Sequence, residues 1–308
     1  MGMRRTILAA SACILAVAGQ VSVALAQADW RAEMNVLRIG YLSSPDPSVD
    51  AARLEPFRAY IESRIALPVE LIPSTTYDSL IDAEVTGRVQ YGIHSATSFA
   101  AADAACACLE PLAVPSALDG STGFYAILLV RAESAIQSLA DARGKRLALA
   151  GEDSVAGNLV PLKAFAEEGM DVGAYFADVA TYPGPEAAIA AMLAGNADLA
   201  VGWSSLAGDP AAGYSFGVLT RMVIDGKLLV DPLRVVWQSR RIPFGPHAVR
   251  RDMPAELKTI LSDALQSMVV AAPEALEAVD RSGYGGGGFV AIDPAEYAVI
   301  ADLVTAPQ

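Results

Sequence analysis

The chain has 308 residues, 53% of them hydrophobic and 19% charged, with a formal net charge of −13. A chain this acidic repels phosphate backbones and anionic lipid, which argues against nucleic-acid binding. The length suffices for two ordinary lobes, each with its own core.

Arg4 and Arg5 open the chain, Thr6 to Ala18 is an uninterrupted small and apolar run, and Ala24-Leu25-Ala26 fits a small-x-small cleavage site. These features predict a secretory signal over residues 1–26 and a mature chain starting at Gln27, of 308 less 26, or 282, residues. A membrane anchor is the rival, but the apolar run is short for a span and Gln20 and Ser22 follow it. A lipoprotein would acylate Cys13, and Ala10-Ser11-Ala12 lacks the large aliphatic residue usual three positions before that cysteine. Loss of Arg4 and Arg5 takes the charge from −13 to −15. The expected product is soluble, exported to the periplasm, and without a second stretch long enough to span a bilayer.

The mature chain alternates strands and helices, which predicts an α/β fold. Val36 to Tyr41 reads as a strand ending in Ser43-Ser44, followed by a helix with Leu54, Phe57 and Ile61 on one face and Pro56 in its first turn. Val69 to Ile72 is the next strand, Asp78 to Val85 a helix stopped by Gly87, and Val89 to Ile93 a strand leading to a helix after Ser95-Ala96-Thr97. Cys106 and Cys108 leave a choice between a local disulfide, free thiols and metal ligation. The chain has only His94 and His247 to complete a metal site, and the disulfide is the reading preferred.

Gly123 to Ser134 is a buried apolar strand and a turn, Ser138 starts a short helix, and Arg146 to Ala150 is a strand. A helix over 157–168, a strand over 179–182, a helix over 186–194 and a strand over 198–203 repeat the pattern. The return runs through Leu233 to Trp237 and Pro246 to Arg250 into a helical tail, where Asp252 and the Asp293 to Glu296 segment have the form of caps.

Gly283 to Gly288 is glycine-rich but lacks the Lys-Ser/Thr of a phosphate loop. Ser204-Ser205 is followed by Leu206 where a nucleophile elbow needs glycine. No catalytic set, metal site or cofactor motif stands out, so the chain is read as a non-enzyme. More informative are the turns Tyr41 to Ser44, His94 to Thr97 and Asp153 to Asn158, each beyond the carboxyl end of a strand. In open α/β sheets ligands bind there, where helix amides and hydroxyls converge.

From Leu37 to about Val304 the chain resembles the periplasmic phosphate/phosphite/phosphonate-binding family of ABC importers, type II two-lobed solute-binding proteins. The resemblance rests on Ile39-Gly40 with Ser43-Ser44, Pro73 to Tyr77, Gly123 to Ser134, Ser138-Leu139-Ala140-Asp141, Gly157 with Leu159-Val160-Pro161, and Ser239 with Ile242-Pro243. It implies two α/β lobes, a ligand cleft and a two-strand hinge between them: residues 27–126 with 247–308, and 127–246 with the hinge strands. It also implies a small-molecule ligand, an ABC permease in the inner membrane as partner, and a monomer. A ligand-presenting sensor component, or an enzyme on the same fold, is the alternative.

Members that bind phosphonates hold the anion with a Ser-Thr-Ser-Gly turn, and here that turn reads Ser154-Val155-Ala156-Gly157. Pro185 stands where a histidine contacts the anion, and Ser205 and Gly245 stand where carboxylates meet an ammonium group. The expected ligand is therefore small and polar or anionic, but poorly matched to an aminophosphonate. Its expected contacts are Tyr41, Ser43, Tyr77, His94, Ser95, Thr97, Tyr125, Ser154, Asn158, Trp203 and Ser205.

Overall fold

A computed structural model describes residues 30–210, 214–228, 233–280 and 286–305. The expected signal segment, Cys13 and residues 283–285 of the glycine run lie outside the described residues. Two six-stranded sheets, each with helices packed on it, form the two lobes of the fold.

The first sheet contains β1 (Leu37–Leu42), β2 (Val69–Ser74), β3 (Tyr91–Ile93), β4 (Leu109–Pro115), β11 (His247–Arg250) and β12 (Phe289–Val290), in the order β12-β4-β11-β3-β1-β2. β1 runs parallel to β2 and β3, and β11 is antiparallel to β3 and β4. The second contains β5 (Gly123–Arg131), β6 (Arg146–Ala150), β7 (Asp178–Tyr182), β8 (Leu199–Ser204), β9 (Leu233–Gln238) and β10 (Ile242–Pro243). Its order is β10-β5-β8-β6-β7, with β9 also paired to β5. Parallel strands need crossover helices, so the carboxyl ends of β1 and β3 come out at one edge, where the next helices begin.

Helix α1 is Trp30–Glu33 and α2 is Pro47–Ile65. Leu54, Phe57, Ile61 and Ile65 recur every three or four residues, and all four are buried in the first core. Asp46 caps α2 by accepting from Ser48 N at 3.0 Å, which fits proline at the first helical position. The helix thus starts at Pro47, and Pro56 lies inside it rather than in its first turn. α9 (Ala255–Ala271) completes this core with Leu257, Leu261, Leu265 and Met268. Asp252 does not cap α9; its carboxylate binds Arg250 instead. Asp293 does cap, accepting from Ala295 N at 2.9 Å, while Glu296 pairs with Arg241.

Three helices border the site: α3 (Tyr77–Val85), α4 (Ala96–Cys106) and α10 (Pro273–Val279). Cys106 and Cys108 are joined as a disulfide at the end of α4. In the second lobe β6 leads to a π-type turn, Val155–Leu159, then α5 (Val160–Glu167) and α6 (Val172–Tyr175); α7 (Pro185–Leu193) and α8 (Val218–Ile224) follow. The predicted helix over 157–168 is thus a wide turn followed by a regular helix.

The chain passes between the sheets at 116–122 and 244–246. An apolar cluster joins the lobes: Ala100 of α4, Ala126, Ala156, Val160, Ile242 and Ile300 of α11 (Ala298–Thr305). A polar contact joins them as well. Asp119, in the first crossing, accepts from Ser205 Oγ at 3.1 Å, from Ser215 Oγ, and from Ser121 N at 2.8 Å. Burial raises the Asp119 pKa, but these hydrogen bonds outweigh it and hold the carboxyl below its ordinary value.

Leu261 is fully buried between α9 and α2, so Leu261→Ala should cost about 2–5 kcal/mol. Urea unfolding with an unchanged slope and a lower midpoint checks this.

Candidate functional site

A cavity of about 310 Å³ opens at the carboxyl ends of β1 and β3. Leu42 and Ile93 end those strands, Tyr77 starts α3, and Ser95, Ala96 and Thr97 start α4. Phe124 of β5, Ile242 and Pro243 of β10, and Phe244 and Gly245 of the second crossing form the hinge-side wall. Val155 reaches in from the second lobe, and Pro115, Val279, Asp280 and Phe289 close the far side. Most of the wall is apolar or aromatic. The polar groups are few and gathered, which is the usual composition of a small-molecule site.

The α4 end supplies the donors. Ser95 caps the helix, its Oγ accepting from Ser98 N at 3.0 Å, and lies 3.1 Å from Thr97 Oγ1. Capping residues directly after a strand placed them here. Asp280, on the opposite wall, has Oδ2 accepting from Gly286 N at 3.2 Å. Gly245 lines the wall because a Cβ there would lie 2.0 Å from the His94 carbonyl oxygen.

Of the residues expected in the site, Tyr77, His94, Ser95 and Thr97 line this cavity. His94 does so through its main chain, because its side chain is 0% exposed. The ring turns inward, with Nε2 3.0 Å from Glu84 Oε1 and Nδ1 3.1 Å from Ser98 Oγ. That set resembles a catalytic triad in composition, but Ser98 is buried and its hydroxyl is engaged at the helix cap.

The other expected residues lie elsewhere. Tyr41 is buried in the first core, and Ser43 directs N–H and Oγ to Ser74 O at 2.9 and 3.4 Å. The neighbouring Ser44 N–H goes to buried Asp50, so the first turn is tied to its own lobe. Tyr125 packs against the second core. Ser154 accepts from Gly157 N at 3.1 Å, and Asn158 is buried in the same turn. Trp203 stacks edge-on with Phe124 and Phe216, at 5.6 and 5.1 Å between centroids, and Ser205 binds Asp119. Missed by the sequence reading were Phe124, Phe244, Phe289, Asp280 and Glu84, which tertiary packing gathers from distant segments. Among the described residues, no group of three or more His, Cys, Asp or Glu is arranged to hold a metal.

The profile of the ABC transporter phosphonate periplasmic substrate-binding proteins matches residues 39–297. The chain belongs to that family. It is a family of transporter binding proteins and not of enzymes, its members are periplasmic, and a small-molecule ligand and an ABC permease are the partners it implies. Among the described residues no helix is long and apolar enough to cross a membrane. Solved structures share the fold. XAC2383 from Xanthomonas citri, bound to ATP, is 20% identical with a TM-score of 0.60, over 88% of this chain and 96% of that one. PhnD1 from Prochlorococcus marinus, in complex with methylphosphonate, is 16% identical with a TM-score of 0.53, over 87% and 97%. The binding protein component of an ABC phosphonate transporter, PA3383 from Pseudomonas aeruginosa, is 21% identical with a TM-score of 0.50, over 87% and 85%.

His247, under the cavity, accepts or donates at Tyr91 OH, 2.6 Å from Nδ1. Burial, and secondarily the field of His94, lowers its pKa from 6.5 to about 3. The unfolded chain then binds more protons between those values, so stability falls as pH drops from about 6.5 toward 3. His247→Gln should be less stable at neutral pH but lose stability less steeply in that window, by up to about 1.4 kcal/mol per pH unit. Urea midpoints at several pH values check the slope.

Proposed function

We propose that this protein is the solute-binding component of an ABC importer for a compact ligand with a hydrogen-bond-accepting head and an apolar body. The head meets Ser95, Thr97 and the first amides of α4, and the body lies against Phe124, Phe244 and Ile242. The observation that supports this reading most is the cavity itself: apolar walls around one gathered set of donors, at the strand ends where such folds bind ligands. The proposed lobes are 27–122 with 244–308 and 123–243, a boundary moved from 126 so that β5 stays whole in the second sheet, and the mature chain is a periplasmic monomer released after Ala26.

The second-lobe anion cradle is weak in this reading. Val155 and Ala156 stand in place of hydroxyls, and Ala156 is buried in the interlobe cluster. Pro185 starts α7, and Ser205 is held by Asp119. Each hydrogen bond to a charged group is worth roughly 1.5–3 kcal/mol, so loss of a histidine and two hydroxyls weakens a phosphonate by several powers of ten. Asp280 offers a carboxylate on the far wall, but one carboxylate does not replace the missing anion partners.

A thermal-shift panel of phosphonates, phosphite, sulfonates, carboxylates, amines and heterocycles tests the function, because a ligand bound only by the folded state raises stability by mass action. Compounds with an acceptor head and an apolar body should give the largest shifts, and 2-aminoethylphosphonate should bind more weakly than micromolar by calorimetry. Sub-micromolar binding of that compound would overturn the ligand assignment. A panel without any stabilising compound would count against a solute-binding role.

A further inference from the structure

The charge on the cleft lining is one-sided. Among the described residues no lysine or arginine lines the cavity, and Asp280 is its one carboxylate. Burial holds His247 neutral, with a pKa lowered to about 3. The His94 ring is 0% exposed and turned to Glu84, so that residue offers the cavity only main chain. The chain as a whole carries −13. A ligand that is anionic overall would meet repulsion both at long range and at this wall.

The carboxylate is built into an aromatic surface. Asp280 ends α10, its N–H bonded to Leu276 O at 2.8 Å, and its Oδ2 accepts from Gly286 N at 3.2 Å. Three residues after Gly286, Phe289 lines the same cavity, its ring edge-on to His247 with centroids 4.6 Å apart. Gly287 seats the segment between them, since a Cβ there would lie 2.3 Å from Ala117 O. On the hinge side Phe124 and Phe244 are stacked at 6.0 Å. Arg53 reaches the same end of α10 from outside the cavity, where it donates to the Ala278 carbonyl and is bridged to Asp50 at 3.2 Å.

We propose that the cleft takes a small zwitterion, with a carboxylate head on the start of α4 and a fully methylated ammonium group beside Asp280 and the aromatic rings. The proposal rests on reading the cleft as a solute site and names the class of solute.

Each pole meets its complement in the first lobe. Ser95 to Thr97 line the cavity at the start of α4, and the positive end of this eleven-residue helix favours a negative head. The opposite wall carries the negative charge of Asp280. A molecule neutral overall escapes the long-range repulsion of an acidic chain, while both of its poles are matched locally.

Methylation follows from what surrounds the carboxylate. A primary ammonium has three N–H donors, and each needs an acceptor. The lining side chains on the Asp280 wall are Val279, Phe289 and Pro115, which have none. An N–H buried there without a partner is costly. A quaternary ammonium has no N–H, packs its methyl surface against apolar walls, and is attracted to the faces of aromatic rings.

Three compounds with the same carboxylate head separate charge from shape: glycine betaine, the tert-butylacetate anion, which has its shape without the cation, and glycine, which has the cation without the methyl groups. Calorimetry on the full mature chain should give betaine an affinity about tenfold or more above each of the others. Asp280→Asn keeps an acceptor for Gly286 N and should weaken betaine by about tenfold while tert-butylacetate binds as before or more tightly. Tert-butylacetate bound as tightly as betaine, or betaine unaffected by Asp280→Asn, would overturn the proposal and leave solute binding standing. Glycine bound more tightly than betaine would overturn it in the same way, as would a betaine that fails to bind while other compounds of the panel stabilise the protein. Silence from these three and from the whole panel would strike the solute-binding reading and this one with it.

Discussion

The second crossing lies flat on the turn between β3 and α4, and that close approach fixes the geometry of the cleft. At Gly245 the backbone passes so near the His94 carbonyl that any Cβ would collide with main chain rather than with a movable side chain. His94 N donates to Pro246 O at 3.1 Å, and the following residues form β11 against β3. One short segment therefore belongs at once to the hinge, to the first sheet and to the cavity wall. The start of α4, its donors and the aromatic rings of the hinge are held together by that contact.

The two lobes contribute unequally to the cavity. The first supplies the strand ends, the helix cap and the polar groups, while the second contributes only apolar side chains, Val155, Phe124 of β5 and Ile242 and Pro243 of β10. The interlobe surface beside it is a cluster of small and branched apolar side chains with α11 laid across it. A ligand with a large charge distributed over both lobes would have to desolvate against that surface, whereas one with a single polar end would not. The asymmetry follows from sequence, in the replacement of hydroxyls by Val155 and Ala156.

Much of the fold was legible because each parallel strand is a short apolar run bounded by turn residues, and each helix carries a three-and-four spacing. β4 was not, since Pro111 and Pro115 argue against a strand; the register slips between His247 and Ala248, so that His247 faces Ala113 and Ala248 faces Pro111. The start of α2 was misread because two prolines, Pro47 and Pro56, compete for the first turn and only the Asp46 cap decides. In the site, Ser95 and Thr97 were readable as residues that begin a helix after a strand, and Tyr77 only through the family resemblance, since the helix was read from Asp78 and begins at Tyr77. His94 was readable as present but not as facing inward, because that depends on Glu84 ten residues earlier and on the missing side chain of Gly92. Phe124, Phe244, Phe289 and Asp280 meet only after both crossings have formed, and no local pattern marks them.

The central claim is that the ligand's polar head sits on the start of α4 in the first lobe. A crystal structure with the most stabilising panel compound tests it. The account predicts the head within hydrogen-bonding distance of Ser95 or Thr97 hydroxyls and the α4 amides, with the apolar body against Phe124 and Phe244. A head bound instead to the Ser154 to Gly157 turn of the second lobe would contradict it.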